Sequence, residues 1–236
     1  MNKIIFSFLV TSIAGLSTVI GTIPIFFKIK NIDKLINISL AFSSGVMASV
    51  SIFSLLPESY NYLRSILLLI FFILIGIFFT IILNKIFKYI DNKLYKLGII
   101  SMIALIIHNI PEGILTFSTT TTNIYLGLSL ALSIMFHNIP EGISISVPIY
   151  FSTKSKKKAF LYTLISGFSE VIGALFTYLF LYKYINNNFI GFILSITTGI
   201  MLYISLFELL PQSLLYSKKR TYLFFIIGFI FMLIFK

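Results

Sequence analysis

The sequence predicts an all-α membrane protein: eight transmembrane helices in a 3+2+3 arrangement, the last three an inverted copy of the first three, with both termini extracytoplasmic. Three observations carry this expectation. Hydrophobic residues make up 58% of the 236 and only 11% are charged, whereas a soluble domain carries about a quarter charged residues. The apolar residues fall into eight runs separated by short breaks. Most of the positive charge lies in alternate breaks.

The runs read as 4–27, 35–56, 65–84, 98–118, 124–150, 159–182, 189–211 and 221–235. In hydrocarbon the backbone must satisfy its own hydrogen bonds, so each run is a helix. A span needs about 20 residues, so the eighth is short and Lys236 is expected to snorkel to the interface. The first run is too long for a signal peptide and has no obvious small-x-small cleavage site. It is expected to remain as a helix, and no soluble domain is expected beside the spans. Cysteine is absent, which excludes a disulfide framework and thiolate ligands.

Lysine and arginine set the orientation. Of 18 such residues, all but four lie in the breaks after the odd-numbered helices: Lys28, Lys30 and Lys34; Lys85, Lys88, Lys93 and Lys96; Lys154 and Lys156 to Lys158; and Lys218 to Arg220. Lys3, Arg64, Lys183 and Lys236 are on the other side. Positive charge stays inside, so the odd breaks are cytoplasmic. The net charge of +11 is therefore a topology signal, and no nucleic-acid partner is expected.

The repeat shows as ordered matches. Gly15-Leu16-Ser17-Thr18-Val19-Ile20-Gly21 pairs with Gly167-Phe168-Ser169-Glu170-Val171-Ile172-Gly173. Gly45-Val46-Met47 pairs with Gly199-Ile200-Met201, and Leu55-Leu56-Pro57-Glu58-Ser59 with Leu209-Leu210-Pro211-Gln212-Ser213. Ile75-Gly76 pairs with Ile227-Gly228. A shift of five helices inverts the second copy, which is a transporter architecture with its site near the midplane. Residues 1–90 form the first repeat, 98–150 a central hairpin and 159–236 the second repeat, all within one transmembrane domain.

The hairpin carries one heptapeptide twice. His-Asn-Ile-Pro-Glu-Gly-Ile stands at 108–114 and again at 137–143, and holds both histidines of the chain. With a tight link near residues 119–123, each motif lies roughly 20 Å along its helix, at similar depth in the membrane. His108 and Glu112 share one face, about 40° apart, and Asn109 flanks Glu112 on the other side. His137, Asn138 and Glu141 repeat the pattern. Pro111 and Pro140 free a backbone carbonyl and bend each helix, and Gly113 and Gly142 loosen the next turn.

Four carboxylates, Glu112, Glu141, Glu170 and Glu208, lie inside apolar runs. Each costs about 2.5–3.5 kcal/mol to insert, and no lysine or arginine inside a run compensates them. A bound cation does. Imidazole and carboxylate suit Zn²⁺, Fe²⁺, Mn²⁺ and Co²⁺. Glu170 is a ligand from a third helix, against the alternative of a neutral acid hydrogen-bonded to Ser169. Glu208 is an exit-path ligand, against a helix-end residue reaching the interface. Glu58 reads as a helix-end residue. Met47 and Met201 read as packing, and Ala41, Gly45 and Ser49 as a close-approach row.

On the doubled His-Asn-x-Pro-Glu-Gly motif in helices four and five, the eight spans and the outward termini, the chain resembles the ZIP family of divalent metal transporters, in particular its bacterial GufA-like branch. The resemblance implies a two-ion centre. His108, Glu112, Glu141 and His137, with Met47, make one position; Asn109, Asn138 and Glu170, sharing Glu112 and Glu141, make the other. It implies import of zinc, or of iron, manganese or cadmium, to the cytoplasm, with the metal as substrate, and a multi-pass protein of the plasma (inner) membrane. A homodimer is one assembly open to it. The break at 85–97 is short and has no histidine, unlike the long histidine-rich loop of many relatives. A carboxylate sometimes stands where Asn138 stands.

Two other functions compete. A membrane-embedded zinc hydrolase needs an open metal position and a general base. The spacing here is His-x-x-x-Glu rather than His-Glu-x-x-His, and every carboxylate is used as a ligand. A metal sensor needs an output domain, which is not seen.

Overall fold

A computed structural model describes residues 3–27, 30–181 and 187–234. Lys28, Lys183 and Lys236, used above for orientation, lie outside the described residues. The described chain is almost entirely helical and has no strand. Eight helices follow in order: α1 Lys3–Phe26, α2 Ile32–Leu63, α3 Ile66–Tyr89, α4 Lys93–Thr122, α5 Ile124–Thr153, α6 Lys156–Phe180, α7 Asn188–Leu214 and α8 Lys218–Ile234. The first seven are long and apolar enough to cross a membrane. The eighth has 17 described residues.

Local chemistry sets the ends. Asn31, Ser65, Asn92, Asn123 and Ser155 each accept a backbone N–H of the turn they open, satisfying donors that a helix start leaves unpaired. Arg64 and Lys154 stop α2 and α5 in the left-handed region, at φ 53° and 56°. The helices therefore run past the apolar runs read from sequence. α2 continues through Pro57-Glu58-Ser59 to Leu63, and α4 reaches Thr122, so Asn123 alone ends α4 and caps α5.

Regular helix gives way to tighter and to wider turns. The second half of α1, Ser17–Phe26, is 3₁₀. Ser17, Thr18 and Thr22 bond the carbonyls three residues back, and Pro24 removes a donor. Wide π turns occupy Ser51–Leu55, Thr177–Leu181 and Ile204–Leu209. The first and last stand just before a proline, Pro57 or Pro211, in stretches whose sequences match.

Packing sorts the helices into two groups. α2 lies along α8, and α3 along α7. α4 and α5 pack on each other; α4 also packs on α6, and α5 on the 3₁₀ half of α1. The glycine contacts come in matched sets. Gly45 meets the backbone of Phe225, and Gly199, which it matches in sequence, that of Ile73. Gly76 meets Ile196, and Gly228, its match in sequence, meets Phe42. Small residues let membrane helices approach this closely. An apolar core holding Met47, Leu105, Ile145, Ile200 and Met201 joins the groups.

Candidate metal centre

The motif glycines place the site, and they do so by close approach rather than by loosening a turn. Gly113 lies against the backbone of Glu170, and Gly142 against that of Thr18. A side chain at either position would push α6 off α4, or α1 off α5. The α4 and α5 helices run unbroken through Pro111 and Pro140. The Pro140 carbonyl accepts the Ser43 hydroxyl of α2 at 2.7 Å, so one carbonyl of the motif is spent on holding the two helix groups together.

The hairpin brings its two motifs face to face. His137 Nε2 lies 2.9 Å from Glu112 Oε1. His108 Nε2 lies 3.2 Å from Glu112 Oε1 and 3.4 Å from Glu141 Oε1. Each histidine thus reaches the glutamate of the other copy, and the ring centroids are 6.3 Å apart. Ligand-type atoms of His108, Glu112 and His137 lie within 4.8 Å of one another, a group able to hold a metal ion. His108, Glu141 and Glu170 are fully buried, and Glu112 and His137 are at most 4% exposed.

Beside this group lies an amide–carboxylate pair. Asn138 donates from Nδ2 to Glu170 Oε1 at 2.8 Å and to the Ala14 carbonyl at 3.0 Å. Asn109 donates to the Ser166 carbonyl at 3.0 Å. The free atoms that remain are almost all acceptors: Glu112 Oε2, both oxygens of Glu141, Glu170 Oε2, and the amide oxygens of Asn109 and Asn138. Nδ1 of both histidines is also unpartnered. Buried polar atoms normally find partners. A knot of unpaired oxygens with no lysine or arginine beside it among the described residues is suited to a cation from outside the chain.

Two further residues expected at the site have neighbours of their own. Met47 is fully buried in the apolar core. Glu208 is half-buried in the π turn of α7 and accepts the Asn84 side-chain amide of α3. It belongs to no metal-ligating group with the central residues.

The sequence reading missed Glu58. It lines a cavity of about 40 Å³ together with Glu112 and His137. The signal was present: a Pro at the first turn of a helix is tolerated, so Pro57 opens a further helical turn and does not end the span.

Comparison with known proteins agrees with this geometry. The family model described as ZIP zinc transporter matches residues 90–236. A zinc transporter ZupT of Clostridium perfringens is 36% identical over 97% of this chain and 93% of its own length. Those of Chlorobaculum parvum and Streptococcus mutans are 38% and 37% identical over 93% and 94% of this chain, and over 91% and 92% of their own lengths. With the doubled motif closed into one buried centre and these relatives spanning nearly its whole length, the chain belongs to the ZIP zinc transporter family.

Proposed function

We propose that the chain carries zinc, and with lower selectivity iron, manganese or cadmium, across the membrane into the cytoplasm through the His/Asn/Glu centre. Metal ion transport is the function of its family, and a transporter is not an enzyme. The hydrolase reading finds no support in the relatives. The observation that carries the proposal is the set of buried oxygens left without donors between α4, α5 and α6.

In this reading His108, His137, Glu112 and Glu141 hold one ion. Imidazole nitrogen and carboxylate oxygen are ordinary zinc ligands. Asn109, Asn138 and Glu170 offer a second, weaker position, where Glu170 must leave its Asn138 bond to give both oxygens to metal. Met47 would add a thioether to the first ion. Glu208 stands on the cytoplasmic path. Weak, multiple sites let an ion leave as well as arrive.

The 3+2+3 inverted repeat with outward termini is supported by the matched glycine contacts, by the paired π turns and by the lysine distribution. The packing groups suggest what moves: α1, α4, α5 and α6 carry the centre as one body against α2, α3, α7 and α8. A rigid-body shift between such bodies gives alternating access. The protein would sit as a multi-pass protein of the plasma (inner) membrane.

The test is metal influx into proteoliposomes loaded with a zinc-sensitive dye. The expected result is saturable zinc uptake above the iron and manganese rates. No uptake of any metal by folded protein contradicts the proposal.

A further inference from the structure

The cavity beside the centre has a wall that the ligand set does not explain. Glu112 and His137 line it from the centre. Ser54 and Glu58 of α2, with Ser133 of α5, also line it. Ser54 and Glu58 are spaced i, i+4, so they share one helix face. The remaining lining is largely aliphatic, including Leu130 and Leu194. Glu58 is half-buried. Among the described residues no lysine or arginine pairs with its carboxylate.

A carboxylate near the end of a span ordinarily reaches for the headgroups. Glu58 instead faces an internal cavity whose far wall holds an unpartnered, buried carboxylate oxygen, Glu112 Oε2. Two carboxylates of like charge across a largely apolar space repel each other. A cation between them reverses that term. The space admits roughly two or three water molecules, so an ion crossing it has lost most of its hydration shell. The hydroxyls of Ser54 and Ser133 and the Glu58 carboxylate are the oxygens available to replace those waters.

We infer that Glu58, with Ser54 and Ser133, forms an outer docking site for a divalent cation, which passes from there across the cavity to Glu112 and His137. The inference rests on the transport reading and on the orientation that puts the end of α2 outside. It assigns Glu58 to capture, not to the central ligand set. Removing it therefore weakens half-saturation more than maximal rate.

The test compares zinc influx by the wild type and by Glu58→Gln and Glu58→Asp. The expected result for Glu58→Gln is a half-saturating zinc concentration raised about tenfold, the lower end of what charge focusing in a cleft supplies, with maximal rate within twofold. Glu58→Asp is expected to keep most of the wild-type value. A binding readout runs beside it. The chain has no cysteine, so Leu130→Cys, a cavity-lining position outside the proposed ligands, is a single reporter for an impermeant thiol reagent. Zinc should slow its labelling, and Glu58→Gln in the same chain should abolish that protection. Unchanged half-saturation and intact zinc protection in Glu58→Gln overturn the docking site. A lowered maximal rate with unchanged half-saturation overturns it too. Absence of influx in the wild type is a different result: it overturns the transport reading.

Discussion

Glu112 touches both histidines, and Glu141 touches only His108. Loss of Glu112 therefore removes more of the proposed centre than loss of His137 or Glu141, each of which has one of these contacts. Glu112→Ala is expected to lower zinc affinity by more than the 10–100-fold that follows when an outer partner of a ligand is lost; His137→Ala is expected to fall below Glu112→Ala in effect. Equilibrium zinc binding in detergent orders the two. Asn138 makes a different prediction. Its amide donates to Glu170 and to Ala14, and an aspartate there can only accept. Asn138→Asp should melt at lower temperature than the wild type without metal, yet gain more from added zinc, because a ligand that binds only the folded state stabilises it. A smaller zinc-induced shift than the wild type's would contradict this. At this scale the sequence was informative. Charges in an apolar run are expensive, so His108, Glu112, His137, Glu141 and Glu170 stood out. Glu58 did not, because it sits in a polar stretch that reads equally as a loop.

Between helices, glycine decides. Gly113 and Gly142 have no room for a Cβ against the backbones of Glu170 and Thr18. Gly113→Ala is expected to destabilise the fold by about 1–3 kcal/mol, the usual cost of overpacking, and to move Glu170 away from Asn138. Thermal melting with and without zinc checks it: the variant should lose zinc-induced stabilisation as well as basal stability. The motif glycines were visible in the sequence, but their purpose was not. A single helix pattern says which residues are small; it does not say which neighbouring backbone comes close. The 3₁₀ half of α1 and the three π turns were hidden for a similar reason. Hydropathy is blind to whether a backbone bond spans three, four or five residues, and only Pro24, Pro57 and Pro211 hinted at it.

For the whole molecule, the all-helical membrane class and the family were legible because hydropathy and a doubled motif agree. The grouping of helices was not, since α1 packs with α5 and α2 with α8, across the order of the chain. Orientation makes a direct prediction. On the cysteine-free background, Thr122→Cys at the hairpin tip should react with an impermeant thiol reagent in intact cells. Lys157→Cys should react only after permeabilisation. The reverse pattern would invert the topology, and with it the direction of the proposed docking site. A zinc-edge anomalous difference map from zinc-loaded crystals tests the metal centre itself. A peak bounded by His108, Glu112, His137 and Glu141 is expected, absent in Glu112→Ala. Zinc bound elsewhere, with these four side chains unoccupied at saturating metal, would contradict it.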